Sequence, residues 1–331
     1  LPEATGPYVL DLSGSHRYPG PITAQLEEAY ASYAGVSRDR VIATRGADEG
    51  LALIVRAFSR TGTDAIAHCP PTYGLYHAIA RTHDVRAYAA SLTSSYGLDH
   101  AALAGAPTNT KVVLLCNPNN PTGNLFTVEE IARVAATFED RALVVVDEAY
   151  IEFCPESSVV PLLESLENLV VVRTLSKAFG LAGIHVGFTI AHPKIVEALR
   201  RIMLPYPIAD PCAQIALQAL AEDGIGRMRA TTQAIIATRD RFADELRGID
   251  GVTQVLPSHT NFVLARFQDR TQAWNELVTS GILARQPEQD GLGSHIRFSI
   301  GTGVEMDRVL QALRPRRRPL LDDLADNAGR E

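Results

Sequence analysis

The sequence predicts an α/β protein with a large domain, built on a mostly parallel sheet with helices on both faces, and a smaller α+β domain. Up to about residue 247, short apolar segments typical of buried strands alternate with segments of helical periodicity, which indicates a parallel, doubly covered sheet. After Gly251 this alternation stops, and short strands flank two helices. A chain of 331 residues, 46% of them hydrophobic, is long enough for a large core and a second, smaller one.

Four segments are predicted along the chain. Residues 1–21 are rich in Pro, Gly and Ser and are predicted to form an N-terminal arm that joins the small domain. Residues 22–247 are predicted to be the large domain, and residues 248–314 the small C-terminal domain. Residues 315–331 join a basic stretch to an acidic one and are predicted to be a disordered tail.

The large domain is predicted from segments that are either short and apolar or apolar at every third or fourth position. Its strands are predicted at 41–44, 65–68, 111–116, 143–146, 170–172 and 188–191, and its helices at 22–34, 51–58, 75–82, directly after the N-cap Thr127, at 194–203 and at 211–247. Gly224 and Gly226 are predicted to interrupt the last helix. The small domain is predicted to contain strands at 252–256, 262–267 and 295–300 and helices at 271–279 and 304–313.

Composition argues against several classes of partner. The net charge is −7, and no block of Lys and Arg precedes the C-terminal tail, so we expect no nucleic-acid partner. No run of 18 apolar residues is present, so we expect no membrane span. The first residues, which do not begin with Met, do not resemble a secretory signal. The four cysteines are widely spaced without a C-x-x-C, which favours a reducing compartment, here the cytoplasm, over disulfides or a metal site.

The segment from Val170 to Gly187 carries the most informative side chain. Lys177 follows a run of valines and the hydroxyls of Thr174 and Ser176, so it is expected just beyond the carboxyl end of a buried strand. Open α/β sheets bind their ligands at this edge. A lysine between apolar walls can lose its charge and attack a carbonyl group. The alternative is a surface lysine that follows a strand.

An aspartate is predicted at the same edge. Asp147 follows the fully apolar strand at 143–146, and it is expected to project from a strand end next to, or close to, the one that leads to Lys177. A buried aspartate needs a cationic partner, either a lysine or the protonated nitrogen of a ligand. The alternative is an aspartate that caps the next turn in water.

Three other strand ends carry polar or aromatic residues. Ala47 and Asp48 lie in the glycine-containing turn between the strand at 41–44 and the helix at 51–58, an arrangement that binds anions or is simply a capped helix. Tyr73 lies in Pro-Pro-Thr-Tyr-Gly, where an exposed ring could stack on a planar ligand, although a core position is the alternative. Asn120 lies in Asn-Pro-Asn-Asn-Pro-Thr-Gly, which also forms a tight loop without any ligand.

Two arginines of the small domain are candidates for binding an acidic group. Arg285 follows an apolar run, and Arg297 lies inside the strand at 295–300, on the same face as His295 and Ser299. An arginine on a half-buried strand usually faces solvent. A guanidinium directed into a cleft would instead bind a carboxylate or phosphate with two hydrogen bonds.

Together these motifs resemble those of the fold-type I pyridoxal 5'-phosphate-dependent aminotransferases, and among them the histidinol-phosphate aminotransferases. The resemblance extends from about Tyr18 to Leu313. It rests on seven motifs in the order of the family: Arg-Gly-Ala-Asp-Glu-Gly, Cys-Pro-Pro-Thr-Tyr-Gly, Asn-Pro-Asn-Asn-Pro-Thr-Gly, Asp-Glu-Ala-Tyr-Ile-Glu-Phe, Thr-Leu-Ser-Lys-Ala-Phe-Gly-Leu-Ala-Gly, Pro-Tyr-Pro-Ile and Thr-Asn-Phe-Val-Leu-Ala-Arg-Phe. Each motif alone is weakly specific, and the ordered set is highly specific.

The resemblance implies roles around the cofactor ring. Lys177 would bond to the cofactor aldehyde and then move a proton as base and acid. Asp147 would keep the pyridine nitrogen protonated, so that the ring can accept electrons. Tyr150 and Asn120 would hydrogen-bond to the phenolic oxygen of the ring, and Tyr73 would stack on the ring.

It also implies a phosphate site, substrate contacts and a homodimer. The cofactor phosphate would be held by Ala47, Asp48, Thr174, Ser176 and, from the neighbouring subunit, Tyr18. Arg297 would bind the α-carboxylate of glutamate, and Arg285 the distal acidic group, including the phosphate of histidinol phosphate. The reaction would transfer an amino group reversibly between glutamate and imidazole-acetol phosphate, giving 2-oxoglutarate and histidinol phosphate.

One residue departs from the family pattern. His185 stands where the family usually has an arginine that contacts the cofactor phosphate. Because histidine is shorter and carries no permanent charge, we predict weaker cofactor binding.

Two alternatives remain at this stage. The first is another enzyme on the same scaffold, such as an aromatic aminotransferase or a phosphothreonine decarboxylase. The second is a non-catalytic relative that acts as a binding module.

Overall fold

The computed structural model describes residues 22–314, apart from the side chain of Ile22. The predicted arm, with Tyr18, and the predicted tail lie outside the described residues. The three boundaries between the four predicted segments stay predictions.

The predicted large sheet is confirmed as a mixed sheet of seven strands in the order β1-β7-β6-β5-β4-β2-β3. The strands are β1 Val41–Thr44, β2 Ala65–His68, β3 Arg86–Ala89, β4 Thr110–Cys116, β5 Leu143–Asp147, β6 Leu169–Thr174 and β7 Gly187–Ala191. Strands β3, β2, β4, β5 and β6 pair in parallel, and β7 is antiparallel to both β6 and β1. The central strands are buried along nearly their whole length, which explains their continuous apolar sequences.

Helices cover both faces of this sheet. The α-helices of residues 22–314 are α1 Ile22–Ala34, α2 Gly46–Phe58, α3 Leu75–Thr82, α4 His100–Ala104, α5 Val128–Thr137, α6 Pro193–Ile202, α7 Asp210–Leu220, α8 Glu222–Arg247, α9 Arg270–Thr279 and α10 Gly303–Leu313. The last two do not cover this sheet but pack in the core of a smaller one. One apolar core contains residues of α1, α5 and α7, and a second contains residues of α2, α3 and α6. Thr127 and Glu130 form the predicted capping box at the start of α5.

A smaller antiparallel sheet follows in the chain. Its strands are β8 Val252–Val255, β9 Phe262–Phe267 and β10 His295–Ser299, with β9 in the centre. The apolar core beside it also contains residues from the end of α8 and from α9 and α10. The predicted strands and helices of this region are therefore confirmed to within one residue at each end.

Two predictions about helix ends were wrong. The helix predicted at 51–58 begins earlier, at Gly46, so that Ala47 and Asp48 lie in its first turn. The interruption predicted at Gly224 and Gly226 lies instead at Ala221, which has extended backbone angles, and both glycines are helical. A Cβ on Gly224 would lie 2.4 Å from the carbonyl oxygen of Ala219. Gly224 thus permits close contact between α8 and the end of α7, which the sequence pattern alone does not indicate.

Candidate active site

A cavity of about 190 Å³ lies at the carboxyl edge of β4, β5 and β6. Because β5 and β6 are paired neighbours, Asp147 at the end of β5 and Lys177, three residues beyond β6, open into the same space. Ten of the residues singled out from the sequence line this cavity: Ala47, Asp48, Tyr73, Asn120, Asp147, Tyr150, Thr174, Ser176, Lys177 and His185. Their functional roles remain predictions.

Asp147 is buried, with 3% of its surface exposed. Its Oδ2 accepts a hydrogen bond from the Tyr76 hydroxyl at 2.9 Å, and its Oδ1 accepts one from the backbone N–H of Ala149 at 3.1 Å. Burial raises the pKa of this carboxyl group to about 6, although both hydrogen bonds act in the opposite direction. No basic side chain among residues 22–314 forms an ion pair with it. A cationic ligand atom would therefore be stabilised here.

Lys177 and Tyr150 lie on the same side of the cavity. The Nζ atom of the half-buried Lys177 is 5.7 Å from the centroid of the Tyr150 ring. That ring packs edge-on against Phe262, at a centroid distance of 5.4 Å. Burial raises the pKa of the Tyr150 phenol, so it remains a hydrogen-bond donor at neutral pH.

The opposite end of the cavity is formed by the first turn of α2 and the loop after β6. Gly46 has a positive φ of 70° and starts the helix, while Arg45 at the N-cap contributes no side-chain acceptor to the first turn. Helix N–H groups without acceptors and the partial charge of the helix start favour an anion. The hydroxyls of Thr174 and Ser176 lie 2.9 Å apart and face the same space.

Tyr73 lies on the cavity wall and is half-buried, where it also packs against the apolar core of α2, α3 and α6. Its hydroxyl donates to Oδ1 of Asp48 over a long 3.4 Å, and its ring packs edge-on against Tyr76 at 5.7 Å. These two contacts hold the ring in place beside the cavity. The position is compatible with stacking on a planar ligand.

Neither of the two arginines lines the cavity, but Arg297 contacts a residue that does. Nη1 of Arg297 donates to Oδ1 of Asn120 at 2.7 Å, and its guanidinium carbon lies 4.8 Å from the centroid of Phe262. Its Nε has no hydrogen-bond partner among the described residues. The exposed Arg285 pairs through its backbone with Arg297, at 3.0 and 2.8 Å. The Arg297 guanidinium therefore lies where the small sheet meets the cavity of the large one, and the backbone of Arg285 lies beside that of Arg297.

Sequence reasoning missed Tyr76. It lies in the first turn of α3, three residues after Tyr73, and is completely buried. An aromatic residue on the apolar side of a helix normally packs in the core, so composition gave no reason to select it. The available signal was its spacing from Tyr73, because residues three apart lie on one side of a helical turn.

These residues fit pyridoxal 5'-phosphate. Asp147 suits its basic ring nitrogen, the start of α2 with the two hydroxyls suits its phosphate, and Lys177 is an amine available to its aldehyde. Within residues 22–314, no group of three or more metal-binding side chains is present. In the same range, every helix is too short or too polar to cross a lipid bilayer.

Comparison with known proteins places these observations in a family context. The family model for class I and II aminotransferases matches residues 3–313. The histidinol-phosphate aminotransferase of Pectobacterium carotovorum subsp. carotovorum (strain PC1) is 41% identical over 313 residues, which cover 94% of this chain and 87% of the relative.

Two solved structures are similar over most of the chain. The histidinol-phosphate aminotransferase from Clostridium acetobutylicum superposes with a TM-score of 0.83 at 25% identity, covering 92% of this chain and 91% of that one. The histidinol-phosphate aminotransferase from Sinorhizobium meliloti in complex with pyridoxal-5'-phosphate gives a TM-score of 0.80 at 26% identity, covering 91% and 83%.

Proposed function

Since the chain belongs to the class I and II aminotransferase family and depends on pyridoxal 5'-phosphate, we propose that it transfers an amino group between histidinol phosphate and 2-oxoglutarate, a step of histidine biosynthesis. The products are imidazole-acetol phosphate and glutamate, and the reaction is reversible. The observation that carries the proposal is the convergence of nine family motif residues on one cavity, Lys177 among them. The 41% identity to a histidinol-phosphate aminotransferase supports the choice of substrate.

In the proposed reaction the chain supplies an amine, a carboxylate and an anion site. Bound pyridoxal 5'-phosphate supplies an electron-accepting ring that stabilises negative charge on the substrate's α-carbon. Asp147 would hold the proton on the ring nitrogen. Nζ of Lys177 would remove the proton from the α-carbon of the amino donor and, in the second half of the reaction, would deliver a proton to the α-carbon of the acceptor. The Thr174 and Ser176 hydroxyls and the start of α2 bind the phosphate.

The two arginines are proposed to bind the acidic groups of the substrates. Arg297 suits the α-carboxylate of glutamate, because its Nε is free among the described residues and its Nη1 already lies beside the cavity. Arg285 is exposed and adjacent, so its side chain can reach the distal carboxylate or the phosphate of histidinol phosphate. In this reaction the two substrates occupy the site one after the other, so a single pair of guanidinium groups can serve both.

The proposed enzyme is a cytoplasmic homodimer. The family resemblance supports a contact between Tyr18 of one subunit and the cofactor phosphate of the other. The four free cysteines are compatible with a reducing compartment.

The proposal is tested by assaying the purified protein with histidinol phosphate, 2-oxoglutarate and added cofactor. Wild type should produce glutamate and show the visible absorbance of bound cofactor. Lys177→Ala should lose about a thousandfold or more in rate, a typical cost of removing a covalent catalyst. Lys194→Ala, at an exposed lysine of α6, is the control and should behave as wild type.

Other outcomes separate the alternatives. Activity with phenylalanine or phosphothreonine and none with histidinol phosphate would favour the aromatic aminotransferase or the decarboxylase. A protein that stays colourless with added cofactor would favour the binding module.

A further inference from the structure

The Asp147 carboxylate is held by donors from two separate elements. The Tyr76 hydroxyl on α3 binds Oδ2, and the Ala149 amide in the loop after β5 binds Oδ1. Tyr76 is completely buried, so its hydroxyl has no access to bulk water as a substitute partner. Both oxygens are therefore engaged before any ligand binds, and the orientation of the carboxylate is fixed.

We propose that Tyr76 is a positioning residue for Asp147, whose hydroxyl orients the carboxylate and keeps it ionised so that it can hold a protonated ring nitrogen. This inference rests on one part of the proposed function, the binding of pyridoxal 5'-phosphate. It does not depend on which amino acid is the substrate.

Asp147 needs a hydrogen-bond donor to stay ionised, because it is buried. Burial favours the neutral acid and raises the pKa of Asp147, while the Tyr76 hydrogen bond is the strongest influence that lowers it. The remaining titratable groups around Asp147 are Asp48, Tyr73, Cys116, Tyr150 and Lys177. Of these, only Lys177 lowers the pKa of Asp147, and it does so less than the Tyr76 hydrogen bond. A hydrogen bond to a charged group typically changes such an equilibrium ten- to a hundredfold.

Tyr76→Phe isolates the hydroxyl, because phenylalanine keeps the edge-on contact with Tyr73. The matched control is Tyr88→Phe. Tyr88 is a half-buried tyrosine on the edge strand β3, and its hydroxyl donates to the carbonyl of Ala102 at 3.1 Å, away from the cavity. Both variants lose one tyrosine hydroxyl and one hydrogen bond.

The first measurement is the dissociation constant of pyridoxal 5'-phosphate between pH 5.5 and 8.5. Tyr76→Phe should bind the cofactor about ten- to a hundredfold more weakly near pH 7. The difference in dissociation constant between this variant and wild type should shrink towards pH 8.5, where Asp147 ionises even without the Tyr76 hydroxyl. Tyr88→Phe should match wild type. Equal binding by Tyr76→Phe, or a deficit that is the same at every pH, would overturn the inference.

The second measurement uses the cofactor-free protein and is independent of the proposed function. The unfolding equilibrium constant of Tyr76→Phe, relative to wild type, should rise about ten- to a hundredfold between pH 4 and pH 8, as the carboxylate becomes ionised without its donor. A ratio that is constant with pH would contradict the inference even if the enzyme is active. If Tyr76→Phe does not fold, Tyr76→His, which keeps an N–H donor, is compared with Tyr76→Leu. Equal cofactor binding by these two would also overturn it.

Discussion

Glu152 is a buried acid that the proposed reaction does not use. It lies beside the buried ion pair between Arg173 and Glu148, on a second cavity of about 470 Å³. The residue is 8% exposed, and its Oε2 has no hydrogen-bond partner among the described residues. Burial raises the pKa of its carboxyl group to about 7, which makes the charged form unfavourable in the folded protein.

Because of this raised pKa, we predict that Glu152→Gln increases the free energy of unfolding by an amount that depends on pH. Because the folded-state pKa lies above the ordinary value of 4.5, the folded protein binds this proton more tightly, and the resulting stability is lost as pH rises from about 4.5 through 7. The uncharged glutamine should raise the free energy of unfolding at pH 8 by up to about 3 kcal/mol and change it little at pH 4. Urea unfolding at both pH values measures this.

The control for that prediction is Glu164→Gln, since Glu164 lines the same cavity but its side chain is 75% exposed. This variant should show no comparable gain at pH 8. A gain from Glu152→Gln that is equal at both pH values would indicate better packing and not the removal of a buried charge.

His185 predicts a second residue-level effect. Its exposed side chain lines the cavity, and its Nδ1 lies 3.4 Å from the position that a Cβ on Gly46 would occupy. An arginine here could add a charge-assisted, two-pronged contact to the cofactor phosphate. We expect His185→Arg to bind pyridoxal 5'-phosphate about ten- to a hundredfold more tightly. A fluorescence titration compares wild type, His185→Arg and His185→Ala, and three equal dissociation constants would show that this position is not in contact.

At the scale of elements, the start of α2 is held directly against the start of β7. A Cβ on Gly187 would lie 2.4 Å from the carbonyl carbon of Gly46, 2.6 Å from the nitrogen of Ala47 and 2.8 Å from the carbonyl oxygen of Arg173. Only glycine allows the helix to approach so closely. This contact places the first-turn N–H groups next to Thr174, which ends the neighbouring strand β6.

We therefore expect Gly187→Ala to push α2 away from the sheet. The variant should lose roughly 1–3 kcal/mol of folding stability and should bind the cofactor more weakly than wild type. Gly183→Ala is the matched control, because a Cβ there would have no atom within 4 Å. Thermal unfolding and a cofactor titration of both variants check this. Equal behaviour of the two alanines would mean that the close contact does not position the phosphate site.

The same elements show what the sequence could and could not predict. Buried strands such as β5 and β6 are continuous apolar runs, so the sequence predicted where they lie and that Asp147 and Lys177 come close to their carboxyl ends, although β6 ends two residues later than predicted. The start of α2 did not, because glycine and aspartate suit a turn as well as a first helical turn. The edge strand β3 was missed because it is short and half-exposed.

At the scale of the whole molecule, the two sheets meet beside the cavity. Arg297 on β10 reaches Asn120 in the loop after β4, and Phe262 on β9 packs against Tyr150. Two sheets distant in sequence thus meet at one side of the site. Alternation along β10 predicted only the face on which Arg297 lies. Its contact with Asn120, 177 residues away in sequence, depends on how the sheets pack.

The proposed homodimer predicts that two defective variants restore each other. A Lys177→Ala subunit lacks the amine in its own active site. A Tyr18→Phe subunit would not supply the tyrosine hydroxyl to the active site of the neighbouring subunit. In a hybrid dimer, the site with an intact Lys177 would receive Tyr18 of the partner subunit and be native. Random mixing would then give roughly a quarter of the wild-type sites. Each variant alone should be strongly impaired, so the two proteins are unfolded together, refolded with cofactor and assayed with histidinol phosphate. If Tyr18 serves its own subunit, no hybrid site is complete, and the mixture should be no more active than the mean of the two separately refolded variants.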